Sequence, residues 1–278
     1  MLIRLGYELA LALQQETPVV TALEIHSDRR QDIKWEPGFM PSPMVPTETY
    51  ADAYGNRCRR FVAPAGRFVM RYDAIVEDSG KTDSVVPDAP ETPVAELPTE
   101  CRYCETDHLS GLAWNLFGQT RPGWERVQTI VDYVHDRLSF GYGYARPTRT
   151  AAQAHEERVG VCRDFAHLAI AFCRAMNIPA RYVNGYLGDI NVPADPPPKV
   201  FGAGGELFGG ACGSTFIPRH NRPRTGRVVI ARGRDATDVP LVHTFGPHEL
   251  GKFEVWTYEQ RQEAGQDAEG KFPVSVAA

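Results

Sequence analysis

Residues 160–168 read Gly160-Val161-Cys162-Arg163-Asp164-Phe165-Ala166-His167-Leu168. Cys162, Phe165-Ala166, Ala169, Phe172-Cys173 and Met176 fall on one face of a helix, and Asn177-Ile178-Pro179 ends it. Cys162 therefore stands in the first turn, where unpaired N–H groups and the helix dipole favour negative charge. A thiol performs acyl chemistry only as thiolate, and an ordinary cysteine with a pKa of roughly 8.5 is only slightly ionised at neutral pH. The placement, with Arg163 as a neighbouring cation, suits a nucleophile. It also suits a cysteine that simply packs on an apolar face, the reading given to Cys173 in the middle of the same helix.

Outward from this helix, Ala180-Arg181-Tyr182-Val183-Asn184-Gly185-Tyr186-Leu187 reads as the strand that follows it. Upstream, Trp124, Val127, Ile130-Val131, Val134 and Leu138 recur at helical spacing after the break Pro122-Gly123. Phe140 to Tyr144 is an aromatic loop or short strand, and Thr150 caps a short helix from Ala151 to Arg158. Residues 1–86 read as a β domain, with strand candidates at 2–9 and 68–76 and a turn at Tyr54-Gly55-Asn56-Arg57. Pro87, Pro90, Pro93 and Pro98 mark 87–100 as a linker to a core spanning 101–260, with strands at 227–231 and 253–257, and a polar tail at 261–278.

Composition narrows the function classes. The chain has 278 residues with 42% hydrophobic content, enough for a substantial core, and a net charge of −5 that argues against a general nucleic-acid binder. The basic strip from Arg219 to Arg234 is broken by Pro223, Gly226 and Gly233 and reads as polar ends of strands and turns. No apolar run reaches the roughly 20 residues of a membrane helix, and the first residues lack the order of a signal peptide, so a cytoplasmic protein without membrane attachment is expected. Six cysteines scattered along such a chain suggest reduced thiols. Cys101-Arg-Tyr-Cys104 with His108 lacks the second half of a tetrahedral metal site, and no metal or organic cofactor is implied.

The runs Thr150-Ala151-Ala152, Gly160 to Leu168, Asn177 to Val183 and Gly185-Tyr186 together resemble the core motif of bacterial transglutaminase-like proteins, within the papain-like cysteine superfamily. The start of the chain and the stretch Arg219-His220-Asn221 to Asp235 resemble the branch with an N-terminal β domain. The resemblance implies an α+β fold: an N-terminal antiparallel β sandwich or sheet, then a core in which the nucleophile helix packs on an antiparallel sheet. It also implies a Cys-His-Asp triad with Cys162 as nucleophile. In such a triad the imidazole takes and returns the proton while the carboxylate orients the ring.

Here the chain departs from the pattern. Aligned back from Pro218-Arg219-His220-Asn221, Gly202 stands where the histidine of a His-Ala-Trp run is expected and Ile217 where the aspartate is expected. Gly204 and Gly213 take tryptophan positions, and six glycines within 202–213 weaken a strand, although Gly209-Gly210 suits a hairpin turn. No other histidine is a natural substitute. His220 has the wrong strand parity, His167 is rotated about 140° from Cys162 on the helix, and His243 and His248 need a loop path.

Three readings follow. The first is a degenerate transglutaminase-like protein that holds a peptide or protein in the former cleft with weak or no turnover. The second is an active cysteine hydrolase or acyltransferase acting on peptide or isopeptide amides through a Cys162 thioester. The third is a β-sandwich plus α+β interaction module.

Overall fold

In the computed structural model, residues 1–82, 101–193, 201–207 and 215–260 are described. The expected linker, the polar tail, the Gly209-Gly210 turn, Cys212 and Gly213 lie outside them. Strands β1 (Leu2–Leu13), β7 (Gly66–Glu77), β3 (Ile33–Trp35), β4 (Met40–Ser42) and β15 (His248–Gln260) form one antiparallel sheet. Strands β2 (Thr17–Thr21), β5 (Thr47–Ala51), β6 (Arg57–Ala63) and β14 (Val242–Thr244) form a second. Ile3, Leu5, Tyr7 and Leu9 alternate inward and are buried, and the two sheets meet where Phe61 of β6 stacks on Phe68 of β7 at 5.4 Å.

The sheets do not follow the division of the chain at residue 101. β15 pairs with β1 from Leu2↔Gln260 to Leu13↔His248, and β14 pairs with β2, so the end of the expected core segment returns to the N-terminal sheets. The pairing is non-local, and neither strand carries a local sign of its partner.

The second half of the fold holds four helices, α1 (Thr106–Phe117), α2 (Trp124–Arg137), α3 (Ala151–Glu157) and α4 (Cys162–Ala175). Of these, α4 packs on the antiparallel sheet of β10 (Ala180–Leu187), β11 (Gly202–Leu207), β12 (Thr215–Phe216) and β13 (Arg227–Gly233), in the order β12-β11-β10-β13, and α1, α2 and α3 pack on α4. A short parallel pair, β8 (Ser139–Phe140) with β9 (Val159–Gly160), leads into α4. The expected capping of α3 is present: the Thr150 hydroxyl accepts from the Gln153 N–H, and Arg158 closes the helix in the left-handed region at φ 58°.

Helix α4 is buried on every side rather than on one face. Phe165 to Arg174 are all buried, with β10 and β11 on one side and α1, α2 and α3 on the other. Among the described residues no helix is long and apolar enough to cross a membrane.

Candidate active site

Cys162 is the first residue of α4, as the sequence predicts, and is half-buried. Asp164 holds this helix start in place. Its buried carboxylate accepts from the Val161 N–H at 3.0 Å, from Arg149 Nη1 at 3.1 Å and from Arg163 Nη2 at 3.1 Å. Gly160 makes room for it, since a Cβ there would lie 2.7 Å from Asp164 Cβ. The Arg163 guanidinium is thus turned to Asp164 and to the Arg146 carbonyl, and also lies over the Tyr103 ring. The cation bearing on the thiol is Arg219, whose guanidinium stands 3.6 Å from the centre of the Phe140 ring.

The Cys162 sulfur faces β11. The thiol donates to the Phe201 carbonyl at 4.0 Å, and the N–H groups of Ala203 and Arg163 are directed at it. Burial dominates its ionisation and pushes the thiol pKa up, outweighing those N–H groups and Arg219. The helix start and Arg163, read from the sequence as favouring thiolate, are thus opposed by burial of the sulfur.

Gly202 lies on β11 between the two residues that touch the sulfur, paired with Gly185 of β10. Gly202, Gly204, Thr215 and Ile217 line one cavity of about 10 Å³, roughly the room of a single water. A Cβ built on Gly204 would come 3.4 Å from Ile217 Cγ1. Gly202 and Ile217, the positions read from the sequence as those of the missing histidine and aspartate, both line this cavity, and Gly202 is flanked by the two residues that bear on the Cys162 sulfur. The cavity lining carries no imidazole and no carboxylate. The glycines are also committed to packing: the Phe216 ring occupies the space of a Gly205 Cβ, 2.1 Å away, and the Phe216 carbonyl lies 2.6 Å from a Gly204 Cβ. A tryptophan at Gly204, as the pattern suggests, does not fit without moving β12.

His167 is buried, its Nε2 accepts from the Ala236 N–H at 3.1 Å, and its ring stacks on Tyr103 at 4.9 Å. Burial lowers its pKa to about 3, so it is a neutral core histidine. His243 pairs with Val20 in the N-terminal sheets, and His248 lies at the far end of β15 with its ring against the Thr244 hydroxyl at 2.7 Å. His220 sits in a turn, its N–H donating to the Ile217 carbonyl at 3.0 Å. The expectation of a strand continuing through it is not met.

Two features were not read from the sequence. Helix α1 is one, although Leu109, Ala113 and Phe117 bury at fourfold spacing and carry a helical signal. The other is the clamp on β11. Glu206 is buried and accepts from Arg232 Nε at 2.7 Å and Arg181 Nε at 2.8 Å. Arg232 continues to Asp28 at 2.6 Å and to His26, tying the site strand to the N-terminal half. Arg224 and Arg232 are buried, so the basic strip is partly interior.

Residues 111–209 match the profile of the transglutaminase-like superfamily core. A solved structure from Cytophaga hutchinsonii, described as that of a candidate cysteine protease, matches with a TM-score of 0.78 at 28% identity, covering 95% of this chain and 92% of that one. An uncharacterized protein of Mycobacterium tuberculosis is 29% identical over 153 residues, 49% of this chain and 46% of its own length. An uncharacterized protein of Mycobacterium leprae is 64% identical over 61 residues, 22% of each chain. The match thus spans less than half the length of the M. tuberculosis relative. The profile takes in α4 and β10, where Cys162 stands at the helix start, and the likeness to a solved structure extends over nearly the whole fold: residues 111–209 form a transglutaminase-like core, set in a fold like that of the C. hutchinsonii structure.

Proposed function

We propose that this protein is a degenerate transglutaminase-like protein that holds a peptide or another protein in the former active-site cleft with little or no turnover. The observation that carries this reading is the small cavity lined by Gly202 and Ile217, next to the β11 residues that bear on the Cys162 sulfur, where neither residue offers a proton acceptor or a group to orient one. Burial that pushes the Cys162 thiol pKa up supports it. Beside this cavity lies a larger depression of about 90 Å³, which shares Thr215 and Ile217 with it and is otherwise lined by Trp124, Gln128, Phe216 and Arg222 among others. Its mix of aromatic, amide and cationic groups suits an extended peptide.

Trp124 provides the readout. Titration with extended peptides is expected to change its fluorescence equally in the wild type and in Cys162→Ser, while mass spectrometry finds the peptides intact. Release of amine or of a shortened peptide, dependent on Cys162, would refute this reading.

The alternative, a cysteine hydrolase or acyltransferase working through a Cys162 thioester, is favoured by the likeness to the C. hutchinsonii candidate protease over 95% of the chain. It requires a general base among groups other than Gly202 and Ile217.

A further inference from the structure

Away from Cys162, a second pair of thiols lies at the entry to α1. Cys104 is fully buried and Cys101 half-buried, and their side chains are in hydrogen-bond contact. The Cys101 N–H donates to the Cys104 carbonyl at 3.4 Å, which closes the four residues into a turn. Arg174 of α4, itself buried, points Nη1 at Cys101 Sγ from 3.2 Å. Its other donors are fixed on the carbonyls of Ala180 at 2.9 Å and Arg234 at 2.7 Å. Among the described residues no carboxylate lies within ion-pair distance of this guanidinium. A buried cation surrounded by carbonyls and one sulfur favours negative charge on that sulfur.

The geometry points to Cys101 and Cys104 as a thiol–disulfide exchange site, separate from Cys162, that reacts with a low-molecular-weight disulfide and closes an intramolecular disulfide. In the first step the Cys101 thiolate attacks one sulfur of the external disulfide, the external S–S bond breaks, and a mixed disulfide forms on Cys101 with release of one external thiolate. In the second, Cys104 loses its proton to that thiolate and attacks Cys101 Sγ, expelling the second external thiolate, which takes up the proton released when Cys101 ionised. The dithiol is oxidised by two electrons and the external disulfide is reduced to two thiols.

The two sulfurs suit these different roles. The hydrogen bond from Cys104, followed by the charge of Arg174, holds the Cys101 pKa down against burial and against the neighbouring Asp235 carboxylate, whereas burial pushes Cys104 well up. The half-buried, more acidic sulfur attacks first, and the fully buried one resolves. The turn also reaches the catalytic helix, because Tyr103 between the two cysteines stacks on His167 of α4 at 4.9 Å.

The test uses the full chain carrying Cys162→Ser, incubated at neutral pH with oxidised glutathione, then alkylated and mapped by peptide mass. Cys101 and Cys104 are expected to lose alkylation together and to appear as one internally bridged peptide. Adding Cys104→Ser is expected to stop the reaction at a glutathionyl adduct on Cys101, and Arg174→Gln to slow it by about tenfold. If both thiols stay alkylatable after incubation, or if Cys101 carries glutathione while Cys104 remains free in the chain that has both cysteines, the proposal is overturned. The Cys104→Ser arm keeps the test decisive if Arg174→Gln does not fold.

Discussion

A variant carrying Gly202→His and Ile217→Asp, with Leu187→Ala to open space, is expected to gain amidase activity toward small peptide amides, about 10²- to 10⁴-fold above the wild type. The magnitude is that of a positioned general acid–base. The histidine would stand on β11 between Phe201 and Ala203, whose carbonyl and N–H bear on the Cys162 sulfur. The aspartate would enter from the same small cavity. Leu187 must change because a Cβ on Gly202 lies 3.1 Å from Leu187 Cβ and 3.2 Å from its Cδ2, too close for a residue that must also carry a ring. Gly204 and Gly205 stay as they are, since Phe216 fills their space. Hydrolysis followed by amine release, and abolished by Cys162→Ser in the same background, is the measurement. A folded variant that remains inert would contradict the assignment of positions 202 and 217.

The second large effect concerns stability. Glu206→Gln is expected to destabilise the protein by about 3–5 kcal/mol, because it removes the anion shared by Arg232 and Arg181 from a buried network. Burial alone would raise the Glu206 pKa, but the hydrogen bonds and charges of Arg232 and Arg181 outweigh it and hold the value below the ordinary carboxylate. A folded-state pKa below the unfolded one means that this stabilisation is present above the unfolded value, about 4.3, and is lost as pH falls through the folded value. Chemical denaturation of the wild type should therefore show a loss of stability below about pH 4.3 that Glu206→Gln largely lacks. Equal stability of the two proteins at neutral pH would refute the clamp. Because Arg232 also holds Asp28 and His26, the variant is further expected to loosen β11 from the N-terminal half.

What the sequence disclosed and what it hid divide along the range of the interactions. Helices α2 and α4 and strand β10 were legible because Val127, Ile130, Val131 and Val134, or Cys162, Phe165 and Phe172, repeat a local period, and Asn177-Ile178-Pro179 ends the helix locally. The positions of Gly202 and Ile217 were legible only through the family pattern, and the structure brings them to one small cavity. Hidden were the events decided by distant partners. The return of His248–Gln260 to pair with β1 joins ends some 250 positions apart, and the clamp on Glu206 comes from residues 25 and 26 positions away. The cation near the thiol was sought in the adjacent Arg163. Asp164 draws that guanidinium away, and Arg219, 56 positions further along the chain, takes its place.

The central claim is that Cys162 has lost its base and rests as a protonated thiol. The direct measurement is the rate of Cys162 carboxamidomethylation by iodoacetamide across roughly pH 5 to 10, read from the mass of the Cys162 peptide so that Cys101 does not contribute. The predicted profile is slow near pH 6 and rises only at or above the pH range of a free thiol, about 8.5. A rate already at its plateau near pH 6 would contradict the account, since it would require a thiolate stabilised by a cationic partner, and the reading as a working cysteine enzyme would replace it.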